Sequence, residues 1–386
     1  MPSAPTTSLD LTSAEVVADP YPFFAEERAR HEVAWHEPSQ MYLTFSHATV
    51  STVQRTRTLG RLWHDKQPAD YLEPFNLLHR NQMMENEPPE HTRLRRPVAS
   101  AFARGHVERL RPRVRELAHR LLDEVDGDFD LIEAYAEPLP VLVIAELLGV
   151  PASHAPQLRD WSQAIVRMYE PAPPPAVVDA AVSAATDFAG LVRELIAERK
   201  QRPVDDLISD LVATGLTEDE QVAAVVLLLN AGHEASVNVF GNGAVAMLRR
   251  GLRPGADVAL TVEEMLRFDS ALQLFERTAT EPVPVGDVVV EPGQKIAALL
   301  GAANRDPAVF DRPDEVDVDR DPNPHLAFGV GVHFCLGAPL ARMELVESVG
   351  ALFDRYPGLA LAGEPESRGT FVHPGFRRVP VTGTGR

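Results

Sequence analysis

The chain has 386 residues, 45% hydrophobic and 24% charged, ample for a large buried core. Against 56 acidic residues stand 37 Lys and Arg, a net charge of −19 that argues against a general nucleic-acid binder, which needs a basic footprint. One cysteine excludes an intramolecular disulfide framework and points to a reducing, cytoplasmic setting, and MPSAPTTSLDLTSAEVV has neither the basic nor the apolar stretch of a signal peptide.

In chain order, residues 1–18 read as a flexible lead and 19–386 as one unit without a linker. DPYPFFAEERAR opens a helix, and QMYLTFS is a short strand. EPPEHTRLRRPVASAFARGHVERLRPRVRELAHRLLDEV is helical and basic, with Leu and Val at helical spacing. Helices continue through PLPVLVIAELLGV and HAPQLRDWSQAIVRMY. They break at the proline cluster EPAPPPAVV (170–178), expected as a loop, and resume in DAAVSAATDFAGLVRELIAERKQ. The longest helix has a legible start, because Thr217 and Glu220 form a capping box with acidic residues in the first turn. The pattern predicts that it runs to Arg249, a length of about 48 Å. Residues 222–229 are apolar on every face, so this helix is expected to be central and buried, and the run is too short to span a bilayer. PVPVGDVVVEPGQKIAALL reads as a β-hairpin with a following strand, and CLGAPLARMELVESVGALFDRY as a helix. The fold class is mostly α with small β-sheets.

FGVGVHFCLG, residues 328–337, contains the one cysteine, Cys335. A buried core thiol is the commonest fate of a lone cysteine. A zinc site would have only His333 to help complete a tetrahedron. A dinucleotide loop needs a third glycine where Phe334 stands. A cysteine protease needs a histidine base placed by the fold, which sequence leaves open. A further reading uses every residue of the stretch. Glycines let the backbone approach a flat ligand and turn its amides toward the sulfur, which suits a thiolate as axial ligand to haem iron.

The stretch resembles the haem-binding loop of the cytochrome P-450 superfamily, Phe-Gly-x-Gly-x-His-x-Cys-x-Gly, unbroken from Phe328 to Gly337. EMLR, Glu264 to Arg267, resembles the family's Glu-x-x-Arg helix motif. NRDPAVFDRPDEVDVDRDPNPHLAFG resembles the irregular segment leading into the loop, and EPPEHTRLRR the segment carrying a propionate-binding His and Arg, here His91 and Arg95. The resemblance extends from about Asp19 to the C-terminus. It implies a single-domain cytochrome P-450 fold, with a long central helix over haem b and Cys335 beneath as the metal ligand. Arg320 would close a structural ion cluster with Glu264 and Arg267. His91, Arg95, Arg277 (in LFERTA) and His333 are the implied propionate partners, because buried carboxylates are costly unless paired and forked guanidinium donors pair them best.

The implied activity is a haem-thiolate monooxygenase inserting one atom of dioxygen into a small organic substrate, plausibly in secondary metabolism. Electrons would come from a separate ferredoxin and its reductase. AGHEAS is the implied proton-delivery segment, with Ala231 and Gly232 leaving a groove for dioxygen. Glu234, an acid inside an apolar helix, either serves that delivery or pairs with a neighbouring basic side chain. The sequence departs from the family at Ala235, where most members have threonine. Ser236 is rotated about 100° around the helix and does not simply replace it, so water or the substrate must supply the hydrogen bond. That departure keeps alive an enzyme that uses peroxide or closes a ring without net oxygen insertion, and a non-catalytic haem-thiolate ligand binder is a further alternative. The connection RRGLRPGADVALTVEE is short, implying a truncated surface helix. Trp63, Phe75, Leu272, Leu274 and Phe371 are expected around a large apolar substrate cavity. Arg93, Arg96, Arg104, Arg109, Arg111 and Arg113 form either a docking patch for an acidic ferredoxin or a solvated face.

Overall fold

The long helix organises the molecule. In the computed structural model, which describes residues 5–170 and 173–383, it runs Glu218–Arg249 with the expected capping box. The Thr217 hydroxyl accepts from the Glu220 amide, and the Glu220 carboxylate accepts from the Thr217 amide. From Gln221 to Met247 every residue is buried except Ala231, Gly232 and Ala235. A helix apolar on all sides needs neighbours on all sides. Those neighbours include the helices Glu73–Arg80, Pro138–Leu148, Ala155–Val166, Pro175–Gln201 and Val258–Phe268. By length and composition, two helices could cross a membrane, Pro175–Gln201 and the central one. The apolar window of the central helix is 83% buried within the protein itself, so its hydrophobicity is accounted for by packing.

A six-stranded sheet lies beside the helical body, in the order Thr6–Thr7, Val33–His36, Met41–Thr44, Lys295–Leu299, Leu274–Ala279, Leu59–Gly60. Leu274–Ala279 runs antiparallel to Lys295–Leu299, with Arg277 opposite Ile296. Strand alternation turns Arg277 and Ala279 to the buried side while Thr278 between them stays half-exposed. The hairpin Val283–Val285 with Val288–Val290 forms as expected.

Three expectations change. Apart from residues 1–4, which lie outside the described residues, the lead is structured: Thr6–Thr7 pairs with Trp35 and His36, and Leu9, Leu11 and Val16 are buried beneath Phe24 and Phe45. These apolar side chains gain more by burial than a free tail would keep in entropy. Within the proline cluster, Pro173 and Pro174 precede the helix, but Pro175 begins it, because the first turn tolerates a missing N–H. Residues 171–172 fall outside the described set. The basic helical stretch is two helices, Glu90–Ala99 and Arg104–Asp123. No helix forms in residues 250–257, in keeping with the short connection.

Between the helix Leu300–Asn304 and the helix Ala338–Arg355 the chain forms no helix or strand. A stretch this long needs tethers. Glu264 supplies the centre of them. Its carboxylate accepts from Arg267 Nε and Nη2 at 2.8 and 2.7 Å, Arg320 Nε at 3.1 Å, the Asp317 amide at 2.9 Å and Asn323 Nδ2 at 3.2 Å. Arg267 then donates to the carbonyls of Asn304, Pro313 and Glu315, and Arg320 to those of Asp311 and Arg312. Arg320 therefore closes the cluster, as expected.

Candidate active site

The cysteine loop is folded by its own backbone. The Gly329 amide donates to Leu326 O at 2.8 Å, the Phe334 amide to Gly331 O at 3.1 Å, and the Cys335 amide to Phe328 O at 2.9 Å. Gly331 has φ +80, and a Cβ there would lie 2.4 Å from the Gln54 carbonyl oxygen, so only glycine fits. Gln54, on the helix His47–Arg55, also accepts the Val330 amide at 3.0 Å and so clamps the loop. Gly337 is different. It has an ordinary right-handed backbone, and a Cβ on it would stand 3.9 Å from Cys335 Sγ. Cys335 is half-buried at the start of the helix Ala338–Arg355. Burial pushes its thiol pKa up, while the amides of Gly337 and Ala338 and the guanidinium of Arg95 pull it down. The loop is thus built to favour a thiolate as soon as a cation relieves the cost of burial. Phe328 lies under the Arg342 guanidinium at 4.4 Å.

The expected propionate partners gather beside the loop. His91 is 2% exposed, yet neither ring nitrogen has a hydrogen-bond partner. Its ring meets that of His333 edge-on, 4.6 Å between centroids. Burial, with His333 and Arg95 close by, pushes His91 down to about 4, so it is neutral at pH 7. Arg95, one turn along the same helix, donates to Phe334 O at 2.7 Å. Arg277 is 3% exposed, forms no ion pair among the described residues and donates only to the carbonyl of Glu276. Burial and the neighbouring Arg61 lower its pKa to about 10. His333 bonds Glu87 at 2.8 Å. An orphaned buried imidazole and a buried guanidinium with no ion pair among the described residues leave this cluster short of hydrogen-bond acceptors. Two carboxylates arriving with a haem would supply them, so the residues fit that group.

On the central helix, three residues between Gln221 and Met247 are not buried, Ala231, Gly232 and Ala235. Ala231 and Ala235 are one turn apart on one face. Gly232 is turned aside, since a Cβ there would lie 3.2 Å from Ile144, so its missing side chain lets two helices approach rather than widening the open face. Glu234 is 2% exposed and accepts from Arg368 at 2.7 Å, which realises the ion-pair alternative. Burial still raises its pKa, against the pull of Arg368. Oε1 of Glu234, both nitrogens of His233, both amide atoms of Asn238 and Oδ1 of Asn230 have no hydrogen-bond partner among the described residues, although Oε1 of Glu234 stands 3.7 Å from Nδ1 of His233. Buried polar atoms in such numbers call for ordered water. Ser236 is also buried.

The expected cavity wall divides. Phe75 is fully buried beneath His79 and Trp63, and Phe371 packs on Phe24, so both belong to the core. Trp63, Leu272 and Leu274 are half-buried. The basic group also divides. Arg93 pairs with Glu90 and Glu220, Arg111 with Glu108 and Glu347, and Arg113 with Glu116 and Glu146. Arg96, Arg104 and Arg109 form no ion pair among the described residues.

Sequence reasoning missed Glu87, Gln54 and Arg368. Glu87 lies one turn before His91, so its spacing carried a signal. Gln54 and Arg368 are brought in from far along the chain, and nothing local marks them.

The family model described as Cytochrome P450 matches residues 258–357, the stretch from the Glu264 helix through the cysteine loop. Cytochrome P450 monooxygenase PikC of Streptomyces venezuelae is 36% identical, with 98% of this chain and 94% of that protein covered. Vitamin D(3) 25-hydroxylase of Pseudonocardia autotrophica is 35% identical over 98% and 97%. Among solved structures, P450BioI in complex with a hexadec-9Z-enoic acid ligated acyl carrier protein matches with a TM-score of 0.91 and 31% identity, over 96% of this chain and all of that one. Members of this family bind haem b through an axial cysteine thiolate and act as oxidoreductases that incorporate one oxygen atom. With the helix, the ion cluster and the cysteine loop each in place, the chain belongs to the cytochrome P450 family.

Proposed function

We propose that Cys335 would ligate the haem iron, that His91, Arg95, Arg277 and His333 would hold the haem propionates, and that a small organic substrate would be oxidised against the face formed by Ala231 and Ala235. The observation that carries this reading is the unmet hydrogen-bonding demand in the cluster: a buried, neutral His91 with two idle ring nitrogens and a buried Arg277 that forms no ion pair among the described residues. Haem bound there supplies the redox chemistry that inserts one atom of dioxygen into the substrate.

The chain's own residues do the rest. Glycine and alanine amides after Cys335 share the thiolate's charge, and the apolar central helix excludes bulk water from the reacting face. Ala235 offers no hydroxyl, so Glu234 must hand protons on through water or a polar group of the substrate. Arg368 holds Glu234 in place and links it toward Glu137, at 3.9 Å, and thence Arg159, at 3.6 Å, whose side chain is 38% exposed. Electrons come from a ferredoxin and its reductase, met by the unpaired Arg96, Arg104 and Arg109. A relative named for polyketide biosynthesis, cytochrome P450 PksS of Bacillus subtilis, supports a role in secondary metabolism.

The test is spectroscopic. Reduced protein with carbon monoxide should show the strongly red-shifted Soret band of thiolate ligation, and Cys335→His should lose it. An intact thiolate band in Cys335→Ala would overturn the assignment.

A further inference from the structure

The two oxygens of Glu234 have different surroundings. Oε2 accepts from Arg368 Nη1 at 2.7 Å, while Oε1 is buried without a hydrogen-bond partner among the described residues. Beside Oε1 stands His233 Nδ1, 3.7 Å away. The His233 ring is fully buried, and both of its nitrogens are idle as well. The two residues are consecutive on the central helix, so a closer approach needs only side-chain rotation. Movement of under about 1 Å brings the pair to hydrogen-bonding distance.

Donor and acceptor chemistry then fixes where a proton on Glu234 sits. A guanidinium offers donors only and keeps its charge, so Arg368 holds Oε2 as the accepting, carbonyl oxygen. The hydrogen of a neutral Glu234 is therefore on Oε1, where burial makes an acceptor necessary. His233 can be that acceptor because it stays neutral: burial and the charges of Arg368 and Arg159 push its pKa down to about 3. A neutral imidazole has one nitrogen free to accept. Glu137, the other carboxylate acting on Glu234, is taken up by Arg159, Arg368 and Gln163, and its charge favours the neutral form of Glu234. Asn238, one turn along, is also idle, but its Oδ1 is turned to Gly375, where a Cβ would lie 2.2 Å from it.

We propose that His233 is a positioning residue for the proton route: its Nδ1 accepts the hydrogen of the Glu234 carboxylic acid and so holds that proton on Oε1. This rests on the haem-thiolate reading above, in which Glu234 hands protons on. The pair makes Glu234 a stored acid with one defined donor oxygen, next to an Ala235 that has no hydroxyl to give.

Infrared difference spectroscopy on haem-loaded protein at pH 7 reads the proton directly. A protonated Glu234 gives a carboxylic-acid carbonyl stretch, assigned by its loss in Glu234→Gln, with Glu344→Gln removing the signal of the other buried acid. His233→Phe, a ring without an acceptor, should shift the Glu234 band to higher wavenumber or abolish it. His233→Asn, whose Oδ1 stands close to the place of Nδ1, should keep it at the wild-type position. Nitrogen-labelled histidine in the diamagnetic reduced carbon monoxide form gives an independent measure that needs no Phe variant. There the wild-type His233 should carry its hydrogen on Nε2 and leave Nδ1 unprotonated, the signal being assigned by its loss in His233→Asn. A Glu234 acid band that is absent from the wild type, or unmoved in His233→Phe, overturns the proposal, and so does a His233 ring with its hydrogen on Nδ1. A band that moves in Asn238→Val and not in His233→Phe also overturns it, making Asn238 the acceptor. Absence of the thiolate Soret band from the wild type would strike the haem-thiolate reading and leave the His233–Glu234 pair to be judged by its own bands.

Discussion

Replacing Glu264 by alanine should bring the protein close to unfolding. The carboxylate is 1% exposed and accepts five hydrogen bonds, three of them from the guanidinium groups of Arg267 and Arg320. Counting each charge-assisted bond at 1.5–3 kcal/mol would give about 10 kcal/mol, but that sum overstates the loss. Arg267 and Arg320 each keep three backbone carbonyls, so neither cation is left bare. Breaking a buried pair by removing one partner costs about 3–5 kcal/mol, and because two cations lose the same carboxylate we take the upper part of that range. Against a total stability of about 5–15 kcal/mol this is a large share. The irregular segment between Asn304 and Ala338 should loosen first, since the cluster is its tether. Urea denaturation followed by far-UV circular dichroism at fixed haem loading gives the shift. A cycle with Arg320→Ala then tests the coupling, which should be about 1–3 kcal/mol. If Glu264→Ala unfolds within about 1 kcal/mol of wild type, or the two substitutions simply add, the tethering argument is refuted.

Arg277→Ala and His91→Phe should each weaken haem retention, by about 2–4 kcal/mol for Arg277, read as haem transfer to apomyoglobin; wild-type retention in both contradicts the propionate assignment. Glu344 is 4% exposed, and burial with no opposing charge raises its pKa to about 8. Its folded value lies above its unfolded one, so the fold loses stability as pH rises from about 4.5 to about 8. Glu344→Gln should therefore stabilise the protein at pH 8 and do little near pH 4, checked by urea midpoints at both. Glu263 moves the other way, held down to about 2 against the cost of burial by Arg342 and His325. It adds stability above its unfolded pKa that is lost as pH falls through the range between about 4.5 and 2, and Glu263→Gln should flatten that acid limb. Arg368→Met should leave Glu234 buried without its partner and divert electrons to peroxide, measured as peroxide formed per reduced cofactor consumed; unchanged coupling would remove Glu234 from the proton route.

Local chemistry made much of this protein readable from its sequence. A capping box needs only Thr217 and Glu220, three positions apart, and the central helix follows from an apolar run that no strand or surface helix could carry. The cysteine loop was legible because its glycines, histidine and cysteine act within ten residues of one another. Tertiary structure decided whatever depends on two distant segments meeting. Phe75 and Phe371 look like cavity residues by type, but their neighbours Trp63, His79 and Phe24 place them in the core. Gly331 must be glycine because Gln54, far away in sequence, puts a carbonyl where a side chain would go. Glu234 has the composition of a proton donor, and only the fold brings Arg368 to its carboxylate. Burial and partner choice are properties of the packed chain, since a charge's energy depends on what surrounds it and not on its position in the sequence.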